Sequence, residues 1–368
     1  MKQKKNNGKM KIFIDIGHPA HVHYFRNFIR LMQEKEHEFF VSARDRSIIH
    51  YLLRRFNTPF YNRGKGKNGI LGKLWYMLVA DLRLLNQARR FKADIYLSFA
   101  SPYAAQVAWM LGKPHIVLDD TEHARFGHMF YKPFSTIFLN PACFHKDFGP
   151  RQIRFNSFTE LFYLHSNYFI ADKKINSLLN LKQNEKYVLL RFVSWKANHD
   201  IGHSGLDINT RKQLLNLFIK KGFKVFISDE SNKTDSFFEP YLIKIPPERM
   251  HDVLNGCELF VSESGTMASE AAIFGTPVIY VNSLPLMGYL QDEQEAGLLF
   301  HLHTSEKVLE KVNEILLMPD FKKVFKSRRK KMLDDKIDVT AFLIWFVENY
   351  PESIKIMKEN PKYQDRFS

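Results

Sequence analysis

Cysteine is scarce: Cys143 and Cys257 are the only two in 368 residues, and no Cys-x-x-Cys pair exists. That excludes a cysteine zinc ribbon and fits a reducing compartment. Long apolar runs are missing as well, and no stretch approaches the roughly 18 residues of a membrane-spanning helix. The lysine-rich start looks like the n-region of a signal peptide. The apolar stretch behind it, Met10 to Ile16, already contains Lys11 and Asp15 and ends in Gly-His-Pro. It is too short and too charged for an export signal, so a cytoplasmic protein is expected. Asp-x-Asp occurs nowhere, so a dedicated Mg²⁺–diphosphate site lacks its usual sequence sign. No repeat of solenoid length is visible.

What the chain does have is positive charge. Lys and Arg number 54 against 39 Asp and Glu, a formal net charge of +15. The excess is concentrated in residues 1–11, 63–92 and 322–331, and the rest is close to neutral. Such patches suit an anionic partner: a membrane surface, a phosphate-bearing small molecule or nucleic acid. A general nucleic-acid coat would spread more widely, and no nucleic-acid module is recognisable. Nucleic acid is therefore the weakest of the three. With 45% hydrophobic residues, the bulk of the chain should fold into about two domains.

Short β-like runs alternate with helical stretches. Strands are expected at Lys11–Ile16, His37–Ala43, Asp94–Ser98, Pro114–Leu118 and Thr136–Leu139, with helices at about 22–34, 45–56 and 71–91. A second alternating unit begins near Tyr187. Its expected strands are Tyr187–Val193, Lys224–Ser228, Leu242–Ile245, Leu259–Ser262 and Pro277–Val281. The pattern predicts an α/β chain with two doubly wound, mostly parallel Rossmann-like sheets facing a cleft. The expected organisation is a domain over 10–165, a linker over 166–186, a second domain over 187–335, and C-terminal helices over 336–368 that pack back on the first domain.

In doubly wound sheets, ligands bind at loops that follow strands. The segment Leu259–Ser283 has such a loop. A strand ends near Ser262, and Ser264-Gly265-Thr266 turns the chain into a helix. Free N–H groups at a helix start suit an anion, and Gly265 permits close approach. Glu270, one turn later, can accept the two hydroxyls of a ribose. The plain alternative is an ordinary strand–turn–helix with a Ser or Thr cap.

Ser264-Gly265-Thr266, Glu270 and Gly275-x-Pro277 resemble the donor-binding signature of GT-B enzymes. These include MurG-like glycosyltransferases and non-hydrolysing UDP-N-acetylglucosamine 2-epimerases. Longer stretches resemble the DUF354 family of the same superfamily: DIGHPAHVHYF at 15–25, LDDTEHA at 118–124, ELFYLH at 160–165 and RFVSWKANHDIGHSG at 191–205. The resemblance implies a GT-B fold and a nucleotide-diphosphate sugar, expected to be UDP-linked, as substrate with no further cofactor. It implies that the turn binds the diphosphate, that Glu270 binds the ribose, and that Arg249 and Met250 lie by the nucleobase. It also places the loop Gly17-His18-Pro19-Ala20-His21 near acceptor and donor phosphates. There His18 or His23 could deprotonate an acceptor hydroxyl.

Asp119 and Glu122, in Asp-Asp-Thr-Glu-His after a strand, suit acid–base work or acceptor binding, or else a solvated turn with a helix cap. Arg191 inside an apolar strand is costly unless paired, and at the strand end it can neutralise a diphosphate. Ser194 and His199 lie on a following loop long enough to act as a lid. Glu160 matches the DUF354 pattern without an assigned role. No metal site is expected, because Gly202 and Gly205 argue against a helix that would bring His199 and His203 together.

Around residues 71–85, Leu71, Leu74, Trp75, Leu78, Val79, Leu82 and Leu85 form one broad helical face with basic residues at both ends. That suits either an anionic bilayer surface with a lipid-linked acceptor or a core helix with solvated ends. The leading expectation is a metal-independent glycosyltransferase of cell-surface polysaccharide synthesis, cytoplasmic or peripheral on the inner membrane face. A nucleotide-sugar 2-epimerase is the alternative, although the Gly-Thr-Arg-Pro-Glu loop typical of those enzymes is replaced here by Gly-His-Pro-Ala-His.

Overall fold

The computed structural model describes residues 8–67, 69–172, 174–193, 205–230 and 235–368. The chain forms two compact units. Residues 1–168 with 336–368 make the first, and 169–335 make the second.

The first unit is built on a parallel sheet of β1 (Lys11–Ile16), β2 (Glu38–Ala43), β3 (Tyr61–Asn62), β4 (Ile95–Phe99), β5 (His115–Leu118), β6 (Ile137–Pro141) and β7 (Gln152–Phe155). Their order is β3-β2-β1-β4-β5-β6-β7. The central strands are apolar on both faces because helices cover both: Ile12, Phe13 and Ile14 of β1 are fully buried. Chain order reverses between β1 and β4, so the loops after those strands meet at the topological switch point. The first helix begins at Pro19, with Pro in its first turn and His18 as its cap. That is earlier than the helical pattern alone suggests, since proline is favoured where a helix start has no donor to lose.

Residues 336–368 belong to this unit. Helix Val339–Glu348 buries Phe342, Leu343 and Phe346. Thr340 Oγ1 donates to the Phe162 carbonyl at 2.9 Å, and Ser157 Oγ donates to the Ile337 carbonyl at 2.9 Å.

The second unit holds β8 (Tyr187–Phe192), β9 (Lys224–Asp229), β10 (Phe260–Ser262), β11 (Val278–Val281) and β12 (Leu299–Leu302), ordered β12-β11-β10-β8-β9. Its switch point lies between β8 and β10. The expected strand Leu242–Ile245 is a short 3-10 turn at Glu239–Tyr241 followed by one bridge between Ile227 and Leu242. Prolines at 240 and 246 leave too little chain between them for a ladder. Of the segment expected to link the domains, residues 169–186 fold with the second unit: Asp172 accepts from Arg249 Nη2 at 2.8 Å.

The basic run 322–331 has a structural role here. On helix Phe321–Leu333, Lys322 Nζ donates to the Cys257 carbonyl and Arg328 to the Gly297 carbonyl, both at 2.7 Å. Lys326 donates to Phe274 and Arg329 to Ile273, both at 2.5 Å. These carbonyls close helices that run toward this cationic face. Cations there satisfy orphan acceptors and oppose the negative helix ends. Gly275, at φ +72°, lets the chain turn beneath Arg329, where a Cβ would come within 3.1 Å of the arginine side chain.

Candidate functional site

The turn after β10 sits at the switch point of the second unit. Ser262 Oγ accepts from the Ser264 N–H at 2.9 Å and donates to the Ser264 carbonyl at 3.1 Å, which fixes the turn locally. Helix Gly265–Ile273 then starts with Ser264 at its cap position and no side-chain cap bond. Its first N–H groups therefore keep their capacity to bind an anion. A Cβ on Gly265 would lie 3.4 Å from the Tyr280 hydroxyl, at contact distance. Thr266 opens the helix beside it.

Glu270 is buried one turn further on, with Oε1 3.1 Å from His251 Nε2. His251 lies on helix Met250–Gly256 and is itself buried. A neutral imidazole donating from Nε2 would hold one carboxylate oxygen in place. Sequence reasoning missed His251. Its only sequence signal is its position next to Arg249-Met250.

Glu263 was missed too. Buried at 2% exposure, it accepts from the Val193 N–H at 2.8 Å, the Leu206 N–H at 2.7 Å and Arg211 Nη2 at 2.8 Å. One carboxylate thus ties the donor-like turn to the backbone on both sides of residues 194–204. The expected lid residues Ser194 and His199 lie outside the described residues.

Arg191 is paired, as its place in an apolar strand requires. Nη1 donates to Ser228 Oγ at 2.6 Å, and Nη2 forms an ion pair with the exposed Glu230. Arg249 pairs with Asp172 at 2.8 Å and Asp252 at 3.4 Å. Met250, half-buried, begins the helix that carries His251.

In the first unit, the loop after β1 lies at the other switch point. His18 is exposed, and its Nδ1 accepts from the Ala20 N–H at 3.3 Å. The Gly17 N–H donates to His21 Nδ1, also at 3.3 Å. Burial, then the charges of His18 and Arg63, hold the His21 pKa well below the usual imidazole value. His23 is buried between Phe56 and Tyr163, with ring centres 5.7 and 5.3 Å away. The two histidines proposed together thus occupy different environments: His18 faces solvent and His23 is packed among aromatics.

Asp119 and Glu122 sit in a buried polar cluster after β5. Asp119 Oδ2 accepts from the Tyr131 hydroxyl and lies 3.0 Å from His128 Nε2. Glu122 Oε1 accepts from the His145 N–H at 3.2 Å. Thr159 Oγ1 lies between Asp120 and Glu160, 2.5 Å from one carboxylate and 3.3 Å from the other. Glu160 thereby belongs to this cluster. Burial, with Asp119 and Glu122 nearby, pushes the Asp120 carboxyl up to about 7. Among the described residues, no group of His, Cys, Asp and Glu is arranged to hold a metal ion.

Solved structures match the chain in fold. The Staphylococcus aureus MnaA–UDP co-structure matches at a TM-score of 0.64 and 13% identity, covering 98% of each chain. A UDP-GlcNAc 2-epimerase from Neisseria meningitidis, solved with UDP-GlcNAc, matches at 0.61 and 14%, covering 88% of this chain and 99% of that one. The glycosyltransferase SsfS6 from Streptomyces sp. SF2575 matches at 0.59 and 14%, covering 92% of this chain and all of the other. These likenesses establish an α/β GT-B fold. In sequence, the uncharacterized protein MJ0665 of Methanocaldococcus jannaschii is 22% identical over 317 residues, 83% of this chain and 92% of that protein. The family model described as "Protein of unknown function (DUF354)" matches residues 10–352. The chain therefore belongs to the DUF354 family, on a fold that it has in common with glycosyltransferases and UDP-GlcNAc 2-epimerases.

Proposed function

We propose that this protein transfers a sugar from a nucleotide-diphosphate sugar, UDP-linked, to an acceptor hydroxyl. The observation that carries the reading is the His251–Glu270 pair one turn beyond an uncapped Ser264-Gly265-Thr266 turn, at a switch point. Glu270 takes the ribose hydroxyls. The N–H groups of Gly265 and Thr266 take the diphosphate and stabilise the charge that develops on it as the glycosidic bond breaks. Arg191 can exchange its exposed partner Glu230 for the same diphosphate.

The base is assigned to His18. Its ring is solvent-exposed at the other switch point, whereas His23 is packed away from water. Because His18 Nδ1 accepts from Ala20, the neutral ring carries its proton on Nε2. Taking the acceptor proton at Nε2 requires the other tautomer, with its proton on Nδ1, so the bond from the Ala20 N–H breaks first.

The acceptor is assigned to lipid-linked glycans of the cell surface, and the observation behind that is helix Ile70–Phe91. Tyr76, Ala80, Leu84 and Ala88 form its buried face. Leu71, Trp75, Leu78 and Leu82 form an exposed stripe, 83%, 59%, 60% and 68% accessible. Val79 and Leu85 of the same broad face are half-buried, Leu85 against the core, so the helix packs by one side and exposes the other. Lys73, Arg83, Arg89 and Arg90 flank it, a pattern that suits peripheral attachment to an anionic leaflet. No described helix is long and apolar enough to cross a membrane.

Incubating the protein with UDP-sugars and lipid-phosphate acceptors tests the reading. Release of UDP that depends on acceptor supports transfer. Release of none, with deuterium appearing at the sugar C2 in D₂O, would establish the epimerase instead.

A further inference from the structure

At the carboxyl ends of β2 and β3, the first unit gathers more cations than acids. Arg63 is buried and satisfied. Its Nε donates to Asp15 at 2.9 Å, its Nη1 to the Tyr76 hydroxyl at 3.1 Å, and its guanidinium lies 4.0 Å from the Tyr103 ring centre. Asp15 is fully engaged, because Ser42 Oγ and Ser101 Oγ also donate to it. Arg44, immediately after β2, is half-buried and has no carboxylate partner among the described residues. Burial and the repulsion of Arg46 and Arg63 pull its pKa down. The chain at 64–66 crosses over it. A Cβ on Gly66 would meet Arg44 Nη2 at 2.9 Å, so a larger residue there would push the arginine tip aside.

Beside this arginine opens a cavity of about 590 Å³, lined by Arg46, Ser47, His50, Arg54 and Lys65 together with one acid, Asp45. Asp45 Oδ1 faces His50 Nδ1 at 4.0 Å, which leaves three permanent cations against one carboxylate. The volume is in the usual range for a small-molecule site. Three cations lining one space favour an incoming anion. Guanidinium groups suit phosphate oxygens in particular, through paired N–H donors.

We propose that this cavity is a phosphoryl-binding site, distinct from the turn at Ser264, that takes a mono- or diphosphate ester through Arg46, Arg54 and Lys65, with Arg44 supplying field from behind. The site stands on the first unit alone and is independent of the sugar-transfer reading.

The test is a calorimetric titration of inorganic pyrophosphate into the full chain, with the Ser264 turn first saturated with UDP. One equivalent should bind. Affinity should fall about tenfold or more in Arg46→Gln and in Arg54→Gln, as expected for a lost charged hydrogen bond. It should weaken with added salt. Thermal melting of the glutamine variants checks that they fold. Flotation with phosphatidylcholine vesicles, with and without phosphatidic acid, separates the sources. Phosphatidic-acid-dependent binding that pyrophosphate displaces and Arg46→Gln abolishes means a lipid-borne phosphate. Pyrophosphate binding without it means a soluble one. No pyrophosphate binding, or equal binding by wild type and both variants, overturns the proposal and leaves the transfer reading untouched. Failure of UDP to bind bears on the transfer reading alone.

Discussion

His251 Nε2 stands 3.1 Å from Glu270 Oε1, with both side chains buried. The imidazole orients one oxygen of the carboxylate proposed to hold a ribose. His251→Ala should therefore weaken UDP binding about tenfold, the scale of one hydrogen bond to a charged group. His251→Gln, which keeps an N–H donor, should recover part of that loss. Calorimetry on the two variants checks it, and equal affinity in wild type and His251→Ala would mean that the pair is only structural.

Glu263 carries the heaviest buried hydrogen-bond load in this region. It holds Val193, Leu206 and Arg211 together. Glu263→Ala should cost about 3–5 kcal/mol, because it strands a partly buried arginine and two backbone donors. Arg211→Ala in that background should add less than it does alone. Chemical denaturation of the four-member cycle measures both, and strict additivity would contradict the shared network.

The cationic face of helix Phe321–Leu333 should matter for stability. Arg329→Ala removes the donor to the Ile273 carbonyl and should lower stability by about 1.5–3 kcal/mol. Gly275→Ala should also destabilise, from positive φ and from contact with Arg329. Ordinary thermal melts decide this. Unchanged midpoints would return the basic run to the role of a free surface patch.

Glu293 gives a pH signature. Burial pushes its carboxyl up to about 8, far above that of an unfolded chain, near 4.3. The folded state therefore holds a proton that the unfolded state releases. This part of the stability is intact below pH 4, falls as pH rises, and is lost above pH 8. Ser269 Oγ and Glu293 Oε1 are 2.5 Å apart. Glu293→Gln should melt close to wild type at pH 5 and several degrees higher at pH 9. Parallel pH curves for the two proteins would contradict the assignment.

Helix Ile70–Phe91 should bind lipid through its exposed stripe. Trp75→Ser with Leu78→Ser should abolish co-sedimentation with anionic liposomes and leave the melting temperature nearly unchanged, since neither residue is packed. A large drop in melting temperature would indicate a hidden packing role.

Much of the architecture was legible in the sequence because buried parallel strands read as continuous apolar runs. Lys11–Ile16 is found at those same bounds, and Tyr187–Val193 ends one residue earlier. The edge strands β3, β7 and β12 escaped notice. They are two to four residues long, and Gln-Ile-Arg-Phe or Leu-Phe-His-Leu carries too little apolar signal. At the candidate site, the turn at 264–266 and Glu270 could be found from spacing and resemblance. His251 and Glu263 could not, because a buried polar partner is defined by tertiary contact. The 322–331 run shows the same limit: sequence counts the charges and is blind to the carbonyls that receive some of them.

The turn after β10 is proposed to hold a nucleotide diphosphate. Titration of UDP into the full chain and into Glu270→Ala tests it most directly. One-to-one binding by the wild type is expected, weakened at least about tenfold in Glu270→Ala with folding intact. No binding by the wild type, or equal binding by both proteins, would contradict it.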